Sequence, residues 1–249
     1  MTPVLDAAGL RKSFGANHAV DDVSFHVTAG EIRALIGPNG AGKSTCFNLL
    51  NGQLQPDAGR IRLHGQDITG LPPRRIARLG VGRTFQVTAT FASMTVRENV
   101  QTALLSYRNR IWRIGRPARH WFRAEADALL RQVHLPAQAD RAAGVLAYGD
   151  LKRLELAIAL AGEPSLLLMD EPTAGMAPAE RGALMRLVRD LVRQRAIAVL
   201  FTEHDMDVVF GIADRIMVLD HGRLIAEGDP AAIRADRQVR AVYLGSATC

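Results

Sequence analysis

The chain has 249 residues, 48% of them hydrophobic and 22% charged, with a formal net charge of +6. This composition supplies a hydrophobic core, excludes a disordered chain, and fits one large α/β domain or a domain with an inserted subdomain. No apolar run approaches the ~18 residues of a membrane span, and the N-terminus lacks the features of a signal peptide. We therefore expect a cytoplasmic protein whose two cysteines, Cys46 and Cys249, are reduced thiols.

Hydrophobic patterns in the first third of the chain predict a small β-sheet followed by a buried strand. Residues 4–14 and 19–28 have the partly alternating pattern of two antiparallel strands, with a turn at residues 15–17. The apolar run 32–36 predicts a buried strand. Further predicted elements are a helix from Cys46, a hairpin around 59–65, a helix over 72–79 and a strand over 81–86.

Residues 96 to about 160 have helical periodicity and interrupt a sheet that resumes at Leu166. Beyond this block strands and helices alternate, which is typical of a parallel sheet with crossover helices. The predicted strands cover 166–169, 197–201, 216–219 and 223–227, and the predicted helices cover 178–193 and 205–212.

The stretch that organises the chain lies between the buried strand at 32–36 and the next helix. It fits G-x-x-x-x-G-K-[ST] in full and in the strand-to-helix context that this phosphate-binding motif requires. Its residues are Gly37, Pro38, Asn39, Gly40, Ala41, Gly42, Lys43, Ser44 and Thr45.

Each residue type in this motif has a chemical reason. The glycines let the backbone curl so that successive N–H groups face phosphate oxygens at the positive end of the next helix. Lys43 is suited to neutralise β- and γ-phosphate charge, and the Ser44 hydroxyl to bind Mg²⁺. Only three of the 31 basic residues are lysines, so the presence of one here indicates a need for a compact ammonium group.

A second motif follows 127 positions after Lys43, where the apolar run 166–169 ends in Asp170 and Glu171. The carboxyl ends of parallel strands converge at one edge of a sheet, so these acids are predicted beside the phosphate site. Asp170 would then lie next to Mg²⁺, and Glu171 next to the γ-phosphate as a general base that polarises water.

With these two motifs the sequence resembles the ATP-binding subunits of ABC transporters over essentially its whole length. The resemblance implies a P-loop NTPase α/β core with a mostly parallel sheet, an N-terminal antiparallel β-subdomain and an inserted α-helical signature subdomain. Residues 1–86 with 166–249 would form the catalytic core, and about 87–165 the helical subdomain. It also implies ATP and Mg²⁺ as cofactors.

The resemblance assigns roles to three further residues. Phe14 matches the aromatic residue that stacks on adenine ahead of the phosphate loop. Gln86 matches the glutamine that contacts Mg²⁺ or the attacking water and reports nucleotide state to the membrane subunit. His204 matches the switch histidine that contacts the γ-phosphate.

The family's signature motif, usually L-S-G-G-Q, opens a helix that faces the ATP held by the other subunit. The matching residues here are Leu146, Ala147, Tyr148, Gly149 and Asp150. Ala147 has no hydroxyl, so backbone N–H groups at the helix N-terminus would make that phosphate contact. Asp150 suits a first helical turn but repels phosphate. Both changes would weaken hydrolysis.

A further departure lies after Glu171, where the family has a loop ending in Asp or Asn that communicates across the dimer. This chain has Ala177 there, without a polar side chain. The L-A-Y-G motif, the residues 94–99 and the ending 240–245 resemble the branch that energises importers of branched-chain amino acids. Amino acid, urea, amide and aromatic acid cargoes all stay open.

The resemblance also implies partners. The chain would pair head to tail with a second ATPase subunit, a copy of itself or a paralogue. Together they would close two ATP molecules between the phosphate loop of one chain and the signature helix of the other. Two membrane permease subunits would contact the chain near Gln86 and the helical block, and the closure of the ATPase pair would be passed to them. A periplasmic or extracellular solute-binding protein would act indirectly. The chain would lie at the cytoplasmic face of the cell membrane.

Three other functions stay open. The ATPase of lipopolysaccharide-type export has a similar outline, but the L-A-Y-G motif and the arginine-rich insertion at 107–123 argue against it. A soluble ABC-type ATPase of translation or DNA repair usually has two ATPase domains or long coiled coils, which this chain lacks. A small-molecule kinase would lack the signature stretch and His204.

Six arginines and no acid lie from Tyr107 to Arg123, interleaved with aromatic side chains. One interpretation is a solvated insertion loop, which is the usual role of a charge run. Another is an arm beside anionic lipid headgroups or a membrane subunit. Nucleic-acid binding is the weaker interpretation because no recognised nucleic-acid fold accompanies the segment, and we expect no nucleic-acid partner.

Overall fold

The computed structural model describes residues 3–84, 90–108 and 121–244, with side chains to residue 242. The strands of this part of the chain are β1 Leu5–Phe14, β2 Asn17–Val27, β3 Ile32–Ile36, β4 Ala58–Leu63, β5 Gln66–Asp67, β6 Val81–Thr84, β7 Leu166–Asp170, β8 Ala198–Thr202, β9 Arg215–Asp220 and β10 Arg223–Gly228. Its α-helices are α1 Lys43–Leu50, α2 Pro73–Arg78, α3 Val96–Tyr107, α4 Arg123–Gln132, α5 Tyr148–Leu160, α6 Pro178–Arg195, α7 Met206–Ile212, α8 Pro230–Ala235 and α9 Arg237–Val239. Short 3₁₀ turns at Pro136–Gln138 and Ala143–Val145 and a π-turn at Arg240–Leu244 complete the list.

The first sheet is antiparallel, with strand order β2-β1-β4-β5. The predicted pairing of the first two strands is confirmed, with Leu5 opposite Val27. The predicted hairpin is also present, but it is not separate, because Leu63 pairs with Leu5 and so joins β4 to β1. Alternating side chains of these strands are buried, which explains why the period-two pattern was readable in the sequence.

The second sheet has strand order β10-β9-β3-β8-β7-β6. β3, β6, β7, β8 and β9 pair in parallel, which confirms the predicted crossover architecture. β10 differs, because it runs antiparallel to β9. Only two residues separate these strands, and a parallel connection needs a crossover of a dozen or more.

The helical block between β6 and β7 is formed by α3, α4 and α5, which pack on one another. Thr95 and Glu98 form a capping box that begins α3: the Thr95 hydroxyl accepts from the Glu98 N–H, and the Glu98 carboxylate accepts from the Thr95 N–H. β6 and β7 are neighbours in the sheet although this block separates them in sequence. The prediction that the block interrupts the sheet is therefore confirmed.

The parallel sheet is covered on both faces, as such sheets require. Ile32, Ala34 and Ile36 of β3 pack in a cluster with the helical block and the helices α6 and α7. Leu35 packs in a second cluster with α1 and the antiparallel sheet. Within the described ranges, no helix combines the length and apolar character needed to cross a bilayer.

Candidate functional site

The phosphate loop between β3 and α1 has a backbone that only glycine permits at two positions. Gly37 has φ 151°, and a Cβ there would lie 2.0 Å from the carbonyl oxygen of Leu219. Gly42 has φ 102°, and a Cβ there would lie 2.1 Å from the carbonyl oxygen of Ala19. Neighbouring backbone thus fixes the course of the loop from both sides.

Helix α1 begins at Lys43, three residues earlier than predicted, with Gly42 as an N-cap that provides no side-chain hydrogen bond. The N–H groups of its first turn are therefore available to an anion. The Lys43 ammonium donates to the carbonyl oxygens of Gly37 (2.7 Å) and Pro38 (2.9 Å). It has a third N–H for a ligand. Burial lowers the pKa of Lys43, and the carboxylates of Glu171 and Asp170 partly offset this effect.

The two acids at the end of β7 are both bonded to Thr202 at the end of β8. The Thr202 hydroxyl donates to Asp170 Oδ1 at 2.7 Å. The Glu171 N–H donates to the Thr202 carbonyl oxygen at 3.2 Å and to its Oγ1 at 3.1 Å. Glu171 has φ 47°, a left-handed conformation that costs a non-glycine residue roughly 1–2 kcal/mol. Such strain is common at functional sites, and here it turns the chain sharply after the strand.

His204 follows β8 and meets Glu171 across the strand ends. Its Nε2 lies 3.0 Å from Glu171 Oε1. Both residues line a cleft of about 300 Å³ together with residues 39–45, Phe14, Asn17 and Ala19. Residues 39–45 of the phosphate loop therefore meet Glu171 and His204 around one cavity, whereas Gly37, Pro38 and Asp170 are not among its lining residues.

Phe14 stands at the outer wall of this cleft with half of its surface exposed (51%). The Lys12 ammonium lies 5.8 Å from the centre of its ring and 2.7 Å from Asp57 Oδ1. Asp57 also accepts from the Ser13 N–H. These contacts present the ring as a flat apolar surface beside the phosphate loop.

Sequence reasoning missed three residues that hold the site together. Thr202 joins the two acids, as described above. Glu203 is 3% exposed and accepts from the N–H and hydroxyl of Thr173 and from the N–H of His204, so it ties the loop after Glu171 to the histidine. Arg83 lies 3.7 Å from Asp170 Oδ2. Their positions were the only signal in the sequence. Thr202 and Glu203 directly precede His204, and Arg83 directly precedes Thr84 at the end of β6, the strand next to β7.

The signature residues lie away from the cleft, and none of its lining residues comes from 146–150. Ala147 is the N-cap of α5 and makes no side-chain cap hydrogen bond. Asp150 lies in the first turn, 3.7 Å from Arg153. Ala177 is the N-cap of α6, at the end of the loop that follows Glu171.

Some predicted features fall outside the described residues. They are Gln86, residues 109–120 of the arginine-rich segment, Gly245 and Cys249. Cys46 is buried as a free cysteine, and its burial raises the pKa of the thiol to about 12.

Comparison with known proteins decides the family. A family model described as "ABC transporter" matches residues 20–174. The chain belongs to this family. It is an ATP-binding subunit of the ABC class, whose members hydrolyse ATP to drive transport. A second model, described as "Branched-chain amino acid ATP-binding cassette transporter", matches residues 223–248.

Relatives align with this ABC subunit over nearly its full length. A high-affinity branched-chain amino acid transport ATP-binding protein, BraF of Pseudomonas aeruginosa, is 41% identical and covers 98% of this chain and 99% of its own. A lipopolysaccharide export system ATP-binding protein, LptB of Acidithiobacillus ferridurans, is 39% identical and covers 98% of each. The crystal structure of the ADP conformation of MJ1267, an ABC cassette, superposes with a TM-score of 0.87 at 33% identity, covering 98% of this chain and 100% of that one.

The cleft of this ABC subunit fits a magnesium nucleotide. The unpaired N–H groups at the start of α1 and the Lys43 ammonium suit phosphate oxygens. Among the described residues, no group of three or more His, Cys, Asp or Glu side chains is arranged to hold a metal ion. Mg²⁺ does not need such a cage, because it is usually bound by one or two side chains together with phosphate oxygens and water. The Ser44 hydroxyl and the Asp170 carboxylate are oxygen-bearing side chains of the type that binds Mg²⁺ in this way.

Proposed function

We propose that this chain is the ATP-hydrolysing subunit of an importer for branched-chain amino acids or related small polar solutes. The observation that carries the ATPase role is the convergence of Lys43, Glu171 and His204 on one cleft. The match of residues 223–248 to the branched-chain amino acid family, together with the similarity to BraF, supports the cargo class.

We assign the binding of ATP to the following residues. The phosphate loop 37–45 would hold the β- and γ-phosphates, and the exposed ring of Phe14 would stack on adenine. Ser44, Asp170 and Gln86 would hold Mg²⁺, which neutralises charge on the transferred phosphate. The positions of the first two support these roles, since Ser44 lines the cleft in the first turn of α1 and Asp170 is the last residue of β7.

We assign the hydrolytic step to Glu171. Its carboxylate would accept a proton from water while the water oxygen bonds to the γ-phosphorus and the bond to the bridging oxygen of ADP breaks. His204 Nε2 lies 3.0 Å from Oε1 of this carboxylate, so the imidazole would orient the base and lie next to the γ-phosphate. Thr202 would position Glu171 by accepting from its N–H, and Glu203 would position His204 in the same way.

We propose a head-to-tail pair with a second ATPase subunit, a copy or a paralogue. The position of Ala147, Tyr148, Gly149 and Asp150 outside the cleft supports this arrangement, because they would complete the ATP site of the other subunit instead. Residues 1–86 with 166–249 would act as the catalytic core and about 87–165 as the helical subdomain. Two permease subunits would receive the motion at the cytoplasmic face of the membrane, and a solute-binding protein would deliver the cargo.

Lipopolysaccharide export is the second candidate. The 39% identity to LptB is close to the 41% identity to BraF, so overall similarity alone separates the two weakly. The match at residues 223–248 favours import.

The test is ATP turnover by the purified chain alone and in liposomes with its co-purified membrane subunits, for wild type and Glu171→Gln. We expect turnover to rise with the membrane subunits, to rise further with a leucine-loaded binding protein, and to be lost in the variant. Stimulation by lipopolysaccharide instead would assign the chain to export. Turnover that no membrane partner changes would indicate a soluble ABC ATPase.

A further inference from the structure

Lys152 is one of only three lysines in the chain, and it is 4% exposed in helix α5. Its ammonium lies 5.5 Å from the centre of the Tyr148 ring, one helical turn earlier, and 3.0 Å from Glu155 Oε2. Residues four apart lie on the same face of a helix, so the Lys152 ammonium lies over the face of the Tyr148 ring. A compact ammonium fits between ring and carboxylate where a planar guanidinium would need more room.

The Tyr148 ring has a second neighbour, the loop that follows Glu171. A Cβ at Gly175 would lie 3.4 Å from Cε1 and 3.6 Å from the hydroxyl oxygen of Tyr148. Gly175 has φ +76°, so the loop turns at the point that the ring edge covers. The ring thus has the buried cation of α5 over one face and the loop near its edge, while 42% of the Tyr148 surface is exposed.

The first turn of α5 also approaches α6, the helix that follows this loop. A Cβ at Gly149 would lie 3.0 Å from Oε1 of Glu180 in the first turn of α6. Glu180 Oε2 accepts from the Ala177 N–H at 3.4 Å. The first turn of α5 therefore lies next to the first turn of α6, which is bonded to the end of the loop 172–177, within one subunit.

We propose that Tyr148 is a positioning residue that fixes the first turn of α5 relative to the loop after Glu171, with Lys152 and Glu155 holding its ring. This inference rests on the proposed function. Ala147 supplies no hydroxyl, so the phosphate contact of the signature depends on the direction of the backbone N–H groups in this turn. In the proposed pair, Glu171 acts in the cleft of its own subunit, whereas the signature residues contact the ATP held by the other subunit. The Tyr148 ring would therefore connect the two ATP sites.

The test compares Tyr148→Ala with Tyr148→Phe in the full chain with its membrane subunits. We expect Tyr148→Ala to lower kcat roughly 10-fold, because small misplacements of catalytic groups have effects of this size or larger. Tyr148→Phe keeps the ring and should stay within about twofold of wild type. Affinity of the isolated chain for a fluorescent ATP analogue should be unchanged in both, since Tyr148 is outside the cleft. The matched control for removing the Lys152 cation is Arg234→Met, which removes a cation over the Phe210 ring elsewhere and should leave kcat unchanged.

Lys152→Met combined with Glu155→Gln removes the cation without leaving an unpaired buried carboxylate. This pair should lower kcat in the same direction, and adding Tyr148→Ala should cause no further loss, because all three changes break one unit. Wild-type kcat in Tyr148→Ala, equal loss in Tyr148→Phe, or additive losses in the combined variant would each overturn the inference. Absence of turnover in the wild type would instead reject the proposed function.

Discussion

We assign nucleotide contacts to two helix N-termini of this chain, and they are built differently. Helix α1 begins after Gly42 and helix α5 after Ala147, and neither N-cap makes a side-chain hydrogen bond. The turn before α1 is confined by backbone, since added Cβ atoms at Gly37 and Gly42 would meet carbonyl oxygens at 2.0 and 2.1 Å. The first turn of α5 meets a side chain instead, since an added Cβ at Gly149 would lie 3.0 Å from Glu180 Oε1.

This difference separates a fixed site from an adjustable one. Backbone cannot move without disturbing β2 and β9, whose residues surround the phosphate loop. A side chain can change rotamer without moving the backbone. The position of the first turn of α5 therefore depends on which side chains lie between it and α6. The phosphate loop matches its motif in full, whereas the signature departs from its motif at Ala147, Tyr148 and Asp150.

The largest effect is expected inside the cleft, at the base. Glu171→Gln keeps the size and the N–H contacts of the residue but removes the proton acceptor, so turnover should fall roughly 10³-fold while ATP still binds. Steady-state phosphate release and equilibrium ATP binding measure the two quantities. Normal turnover in this variant would reject Glu171 as the base.

The two glycine positions sharpen the comparison directly. Gly42→Ala places a Cβ against backbone at a positive φ and should cost about 3 kcal/mol of unfolding free energy, with loss of ATP binding. Gly149→Ala meets only the flexible Glu180 carboxylate at 3.0 Å and gains helix propensity, so its stability should stay within about 1 kcal/mol of wild type. Denaturant unfolding measures both. Equal losses would contradict the distinction between backbone and side-chain confinement.

A smaller effect is expected at Thr202, which joins Asp170 to Glu171. Thr202→Val has a similar shape but cannot donate to Asp170 or accept from the Glu171 N–H, and we expect kcat to fall roughly 10-fold with little change in ATP affinity. Thr69→Val is the control, because it loses similar hydrogen bonds to Ile61 in the antiparallel sheet. Equal kcat values for the two variants would show that Thr202 has no role in positioning the acids.

The smallest effect is a pH dependence of ATP binding. Burial lowers the pKa of Lys43 below its ordinary 10.5, so the ammonium loses its proton at a lower pH than an exposed lysine does. Phosphate contact favours the charged form, and therefore ATP affinity should decline as pH rises through that lowered pKa. Lys43→Met should bind ATP weakly and without this decline. An alkaline decline that persists in Lys43→Met would assign it to another group.

The sequence was informative where one local rule decided the structure. The buried run 32–36, the period-two strands of the antiparallel sheet and the phosphate loop were all placed correctly because each depends on nearby residues. The reversal of β10 was missed, although the two-residue connection His221–Gly222 could have revealed it.

The contacts that join distant segments were not readable from the sequence. Thr202 and Glu203 were read only as residues before His204, since nothing local shows that they bond Asp170 and Thr173, about 30 residues earlier. Tyr148 was read as part of a motif, and the approach of its ring to Gly175 depends on how α5 packs against α6. Such pairings follow from tertiary packing, which periodicity does not encode.

The measurement that tests the central claim most directly is the mass of the Glu171→Gln chain in solution, alone and with its co-purified ATPase partner, in ATP and in ADP. If the cleft of one subunit is completed by α5 of another, ATP should convert this variant from single subunits to a stable pair, and ADP should not. ATP that binds to the variant and leaves it as single subunits under both conditions would contradict the account.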